Sequence, residues 1–159
     1  MEIHNMAGHL IRRLNQISMS VFQAAMKEAG YDLTSVQFAA LNAIAQNPGA
    51  DQATVAGMIA YDRATIGGVI DRLESKGLVQ RTISKRDRRA RELSLTDSGQ
   101  ETLGRLRSVV RALQPDILTG LNDEEKAEFL RLAAKAATAG NSLSRSPLIS
   151  HPDDKSDSV

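Results

Sequence analysis

Apolar residues in this chain keep a helical rhythm almost throughout and switch to strict alternation in only two short stretches, Leu78 to Ile83 and Arg91 to Leu95. One such switch in 159 residues leaves room for a single β-hairpin and no larger sheet. The connection between the stretches, Ser84 to Ala90, is charged, so the hairpin has a basic tip. The apolar share is carried by Ala, Leu, Ile, Val and Met, with three Phe, two Tyr and no Trp, which suits helices better than strands. A mainly α fold with a small β-hairpin follows.

The helical stripes can be read in order. Ile3, Leu10, Leu14, Ile17, Val21 and Ala24 trace one face of a long first helix that stops near Gly30. Thr34 opens a second helix through Phe38, Leu41 and Ile44, which Asn47, Pro48 and Gly49 end. Asp51 caps a short third helix carrying Val55, Met58 and Ile59. After Tyr61, a fourth run spans Arg63 to Lys76, with Ile66, Val69, Ile70 and Leu73 on its buried side. Asp62 is placed to accept hydrogen bonds from the first free amides of this helix, and Gly77 stops it. Beyond the hairpin, Thr96 or Asp97 caps a long helix along Leu103, Leu106, Val110, Leu113 and Ile117, in which Pro115 is expected to make a bend. Asn122 or Asp123 starts a last helix through Phe129, Leu130, Leu132 and Ala136. From Ser144 onward little can be buried, which predicts a mobile tail.

Several classes of activity fall away. With no cysteine there is no disulfide, thiolate metal site, Cys nucleophile or thiol redox sensor. His4, His9 and His151 are too scattered to suggest a metal site, and no cofactor is implied. No nucleophile and base, paired carboxylates or phosphate-cradling loop occurs at a recognised spacing, so an enzyme is not expected; Gly67 and Gly68 fall inside a helical run, not after a strand. No signal pattern or membrane-length apolar run is present, which makes the cytoplasm the expected compartment.

Charge points to a partner. Between Arg63 and Arg91 stand nine basic residues and three acidic ones, a balance of +6, whereas the remainder of this +1 chain sums to −5. Gathering that charge on one helix and one hairpin is costly self-repulsion unless a polyanion neutralises it. The order helix, helix, tight turn, helix, basic hairpin is what DNA readout by a winged helix-turn-helix requires. Opposite the apolar stripe of the fourth helix stand Arg63, Thr65, Gly67, Gly68, Asp71 and Arg72, where small residues permit close approach and Arg and Thr can reach base edges or phosphates.

The runs Asp62-Arg63-Ala64-Thr65-Ile66, Asp71-Arg72-Leu73-Glu74-Ser75-Lys76-Gly77-Leu78-Val79 and Asp87-Arg88-Arg89-Ala90-Arg91-Glu92-Leu93-Ser94-Leu95-Thr96 resemble the MarR family of bacterial regulators. The resemblance extends from about Leu10 to Ala136. It implies a winged helix-turn-helix with a helical dimerisation region: a dimerisation helix over 1–33, the DNA-binding region over 34–96, dimerisation helices over 97–143 and a flexible tail over 144–159. It further implies a homodimer gripping a near-palindromic operator in double-stranded DNA, with Arg63, Thr65, Gly68, Arg72, Lys85, Arg86, Arg88 and Arg89 at the DNA. Arg89 matches the wing arginine that enters a narrow minor groove. Asp87 matches an aspartate that pairs with a recognition-helix arginine, here Arg72, and braces the wing; its plainer alternative is a turn-forming Asp.

Regulators of this kind often release DNA when a small aromatic or phenolic acid enters a cleft beside the dimerisation helices. His9 and Arg13 share a face of the first helix, and the guanidinium could pair with a carboxylate while Phe38 closes the pocket. The plainer alternatives are a surface or intersubunit ion pair for Arg13, a helix-face polar group for His9 and a core position for Phe38. The leading expectation is a repressor released by such an acid. A winged-helix activator or dual regulator, and a winged-helix protein-interaction module, are the alternatives.

Overall fold

The computed structural model of the chain describes residues 2–84 and 91–149. A 3-10 turn at Glu2–Asn5 precedes α1 (Ala7–Glu28), then come α2 (Ser35–Gln46), α3 (Gln52–Met58) and α4 (Ile66–Ser75). The hairpin strands are β1 (Val79–Ile83) and β2 (Arg91–Leu95), followed by α5 (Asp97–Ala112), α6 (Gln114–Ile117), α7 (Asp123–Ala139) and a 3-10 turn at Asn141–Leu143. The strands pair antiparallel, from Val79 opposite Leu95 to Ile83 opposite Arg91. This is the mainly helical, single-hairpin architecture that the periodicity predicts.

Local chemistry sets the boundaries. Thr34 Oγ1 accepts from the Gln37 amide at 3.2 Å while Gln37 Oε1 accepts from the Thr34 amide at 3.1 Å, closing a capping box on α2. Asn122 and Glu125 form the same reciprocal pair on α7, both bonds at 2.9 Å. At the end of α1, Gly30 adopts φ +79°, a left-handed conformation that turns the chain so that the Tyr31 amide donates to Met26 O at 2.8 Å.

Three details depart from the sequence reading. The fourth helix starts at Ile66, not Arg63, because the Asp62 carboxylate accepts from the Ala64 amide at 2.7 Å and holds Arg63 to Thr65 in a turn. Pro115 does more than bend a helix: α5 ends at Ala112 and Pro115 takes an early position in the new helix α6, where its missing N–H costs no bond. The described part of the expected tail, 144–149, is hydrogen-bonded into the fold, since Leu148 pairs with Asn141 and the Ile149 amide donates to Gly57 O at 2.9 Å.

The core gathers under α4. Ile66, Ile70 and Leu73 are fully buried and share one apolar cluster with Leu41 and Ile44 of α2, Val55 of α3 and Leu103 and Leu106 of α5. Burying each such side chain contributes about 1.5–3 kcal/mol, so this packing anchors the orientation of α4. The wing is anchored too: the Gly49 amide donates to Leu93 O at 2.9 Å and the Leu93 amide to Ala50 O at 3.0 Å, tying β2 to the α2–α3 connection. Thr96 fixes the opposite edge, with its amide donating to Leu78 O at 3.1 Å and its hydroxyl to Gly77 O at 2.6 Å.

Two helical faces stay uncovered among the described residues. Helix α7 has no buried residue and exposes Leu130 and Leu132, while the first part of α1 exposes Leu10, Ile11, Ile17 and Met19. No described helix is long and apolar enough to cross a membrane.

Candidate nucleic-acid interface

With one side of α4 sealed into the core, its other side is free to meet a partner. Thr65, Gly68 and Arg72 follow at spacings of three and four and are all exposed, so they line one face, with exposed Arg63 in the turn before it. A Cβ added at Gly68 would meet nothing within 4 Å among the described residues beyond its own helix backbone, so none of them covers this face there. Among the described residues, Arg63 and Arg72 make no ion pair, which leaves both guanidinium groups available for an external anion. The exposed Thr65 hydroxyl donates to Asp62 O at 3.2 Å.

Two further cations of the basic segment serve the fold instead. Arg81 of β1 donates to Asp71 and Glu74, which stand three apart on α4. Burial of Arg81 opposes its charge, but the two carboxylates outweigh that and hold the guanidinium pKa above its ordinary value. One arginine thus forks two acidic groups and sets the wing strand against the helix. Lys76, at the end of α4, donates to both the carboxylate and the backbone carbonyl of Asp32, and its hydrogen bond holds the Asp32 carboxyl below its usual range.

Sequence reasoning missed both ties. Asp71 and Glu74 at helical spacing, followed by an arginine inside a strand, is the signal that could have found the first; Lys76 and Asp32 stand 44 positions apart and leave none. The proposed brace partners divide: Arg72 is exposed on α4, whereas Asp87 lies outside the described residues, as do Lys85, Arg86, Arg88 and Arg89.

A cavity of about 550 Å³ opens between the second half of α1, the α1–α2 connection and the start of α2. Met19, Phe22, Met26 and Leu33 give it apolar walls, and Lys27, Tyr31 and Asp32 supply polar groups. Phe38 does not line it but packs against Phe22, with ring centroids 6.2 Å apart. His9 and Arg13 lie nearer the N-terminal end of α1 and do not line it either. His9 stands against His4 at 3.4 Å, and Arg13 is exposed. The structure therefore does not bring the three sequence-predicted effector residues together in this chain.

Known proteins match this arrangement. The MarR family description fits residues 33–90, from the connection before α2 to the end of the hairpin tip. The transcriptional regulator HosA of Escherichia coli is 30% identical over 139 residues, covering 87% of this chain and all of HosA. The structure of Bordetella bronchiseptica BpsR, whose DNA binding is regulated by 6-hydroxynicotinic acid, is 28% identical with a TM-score of 0.77, covering 84% of this chain and 94% of that one. The repressor CouR, solved on a 23-mer DNA duplex, is 31% identical with a TM-score of 0.74, covering 87% of this chain and 95% of CouR. The family match and relatives about 30% identical over nearly their whole length establish that this chain belongs to the MarR family of transcriptional regulators.

Proposed function

We propose that this regulator is a homodimeric repressor that grips a near-palindromic operator with its two α4 helices and releases it when an aromatic or phenolic carboxylate binds. The observation that carries the DNA half is the face of Arg63, Thr65, Gly68 and Arg72, exposed on a helix whose reverse side is buried in the core. A helix held this rigidly meets the groove without paying to order itself. In this reading Arg89 enters the adjacent minor groove, Lys85, Arg86 and Arg88 meet phosphates, and Asp87 braces the wing through Arg72. The repressor CouR, solved on DNA, supports the sign of regulation.

The dimer reading rests on the exposed apolar faces of α1 and α7, which a second copy would cover. The effector reading rests on the cavity of about 550 Å³, which has room for an aromatic acid among apolar walls and counts Lys27 among its lining residues. Regulation of BpsR by 6-hydroxynicotinic acid favours that ligand class. His9 and Arg13 form the alternative anchor.

The test is fluorescence anisotropy of the purified protein on the DNA upstream of its own gene, titrated with a panel of aromatic acids. Arg89→Ala is expected to weaken binding strongly and leave the dimer intact. Lys27→Ala is expected to keep DNA binding and lose release by the acid. If Arg13→Ala loses release and Lys27→Ala keeps it, the anchor is Arg13; an unreleased parent protein across the panel overturns the effector class.

A further inference from the structure

The last nine described residues, 141–149, form a folded strap. Asn141 clasps it: the side-chain amide donates to Leu148 O at 2.9 Å and its oxygen accepts from the Leu148 amide at 2.8 Å. Within that clasp the Ser146 amide donates to Ser144 Oγ at 3.1 Å. The strap then reaches the helix-turn-helix unit, where Ile149 donates its amide to Gly57 O at 2.9 Å. Gly57 stands in the last turn of α3, and its carbonyl, which also accepts from the Ala60 amide at 3.3 Å, takes the strap's amide as a further donor.

Side-chain packing explains why residue 57 is glycine. A Cβ there would fall 2.5 Å from Ile149 Cδ1, so the strap sits in the space that any other side chain would fill. Arg145, Ser146, Pro147 and Ile149 form one wall of a cavity of about 380 Å³, and Tyr61, Asp62, Arg63 and Ala64 form the other. The second wall is the turn leading into α4, and the N-terminal residues of a recognition helix are the ones that meet base edges. The strap and a DNA backbone approaching Arg63 therefore need the same space. In sequence, the chain after Ile149 adds Asp153, Asp154 and Asp157 against Lys155, a charge of the sign that DNA brings.

We propose that the 141–149 strap is an intramolecular competitor of DNA, which docks on Gly57 and must leave before the turn at Arg63 reaches the duplex. This rests on the DNA-binding reading above. If the strap is docked in about 90% of molecules, the apparent affinity for DNA is lowered about tenfold, because only the undocked fraction is competent.

Two full-length variants test it from opposite sides. Gly57→Ala crowds the Ile149 side chain, which must shift from its seat, while favouring α3, since alanine is the better helix former by about 1 kcal/mol. Asn141→Ala opens the clasp without touching the helix-turn-helix unit. Binding is read by anisotropy on a labelled 30-base-pair duplex of arbitrary sequence at low salt, where phosphate contacts dominate. Strap release is read by trypsin cleavage after Arg145, followed by mass spectrometry. The expected result is faster cleavage and about tenfold tighter binding in both variants. Faster cleavage with unchanged or weaker binding overturns the proposal, the weaker case making the strap a DNA-contacting arm. Unchanged cleavage in both variants overturns the docking itself. If neither parent nor variants bind the duplex in a salt-dependent way, the DNA-binding reading fails and takes this one with it.

Discussion

Gly68→Ala separates DNA recognition from folding, because the two are expected to move in opposite directions. Gly68 lies inside α4, where alanine is favoured over glycine by about 0.5–1 kcal/mol through the smaller entropy of the unfolded chain. Among the described residues nothing outside the helix's own backbone lies within 4 Å of the added methyl, so no clash there subtracts from that gain. For a chain of this length, about 1 kcal/mol raises Tm by about 2–4 °C. The same methyl stands on the face of Thr65 and Arg72, and in a close-packed groove an extra methyl costs about 1–3 kcal/mol, or roughly 5- to 150-fold in Kd. Thermal denaturation at fixed protein concentration gives the first number and anisotropy on operator DNA the second. A raised Tm with unchanged affinity would refute the placement of this face in the groove, and no loss of folding could be blamed.

Other perturbations probe the supports. Gly99→Ala, the same chemical change at the start of α5, has the opposite sign: its Cβ would fall 2.0 Å from Leu78 O, a backbone atom already held by the Thr96 amide, so urea denaturation should show a loss of about 2–4 kcal/mol. Arg81→Lys should lower stability by no more than about 1 kcal/mol, since the pairs are partly solvated, yet weaken DNA binding, because one ammonium cannot fork Asp71 and Glu74 as the guanidinium does; affinity equal to the parent's would show that the wing needs no such brace. Asp51 accepts from the Thr54 amide at 2.7 Å, which holds its carboxyl below the ordinary value. Its contribution is present at neutral pH and lost as pH falls through the depressed pKa, so the deficit of Asp51→Ala, about 1 kcal/mol near pH 7, should close in acid below about pH 4; a deficit constant down to pH 2 would contradict the cap.

What could be read from the sequence was local. The stripes on α2, α4 and α5 and the caps at Thr34, Asp51 and Asn122 each depend on residues within a few positions, and all appear where the pattern puts them. The exposed face of α4 follows from the same periodicity, since fixing Ile66, Val69, Ile70 and Leu73 inward turns Gly68 and Arg72 outward. What escaped was set by meetings between distant segments. Arg81 looked like one more DNA-seeking cation until the packing of β1 on α4 placed it over two carboxylates. A single isoleucine in a polar stretch has no periodicity to announce it, so the seat of Ile149 on Gly57 could not be seen. The cavity escaped for a similar reason: the turn at Gly30 sets Tyr31 to Thr34 beside α1, with a hollow lined by Met19 and Phe22, farther along the helix than His9 and Arg13.

Because α2 carries Thr34 and Ser35 of the cavity rim at one end and leads into the Gly49 and Ala50 ties to Leu93 at the other, it works as a stiff rod between a hollow and a hairpin. Its 12 residues make it about 18 Å long, so a tilt of about 5° at the rim carries the far end through about 1.5 Å. A helix this short does not bend enough to absorb such a displacement, and what is pushed at the rim arrives at the hairpin.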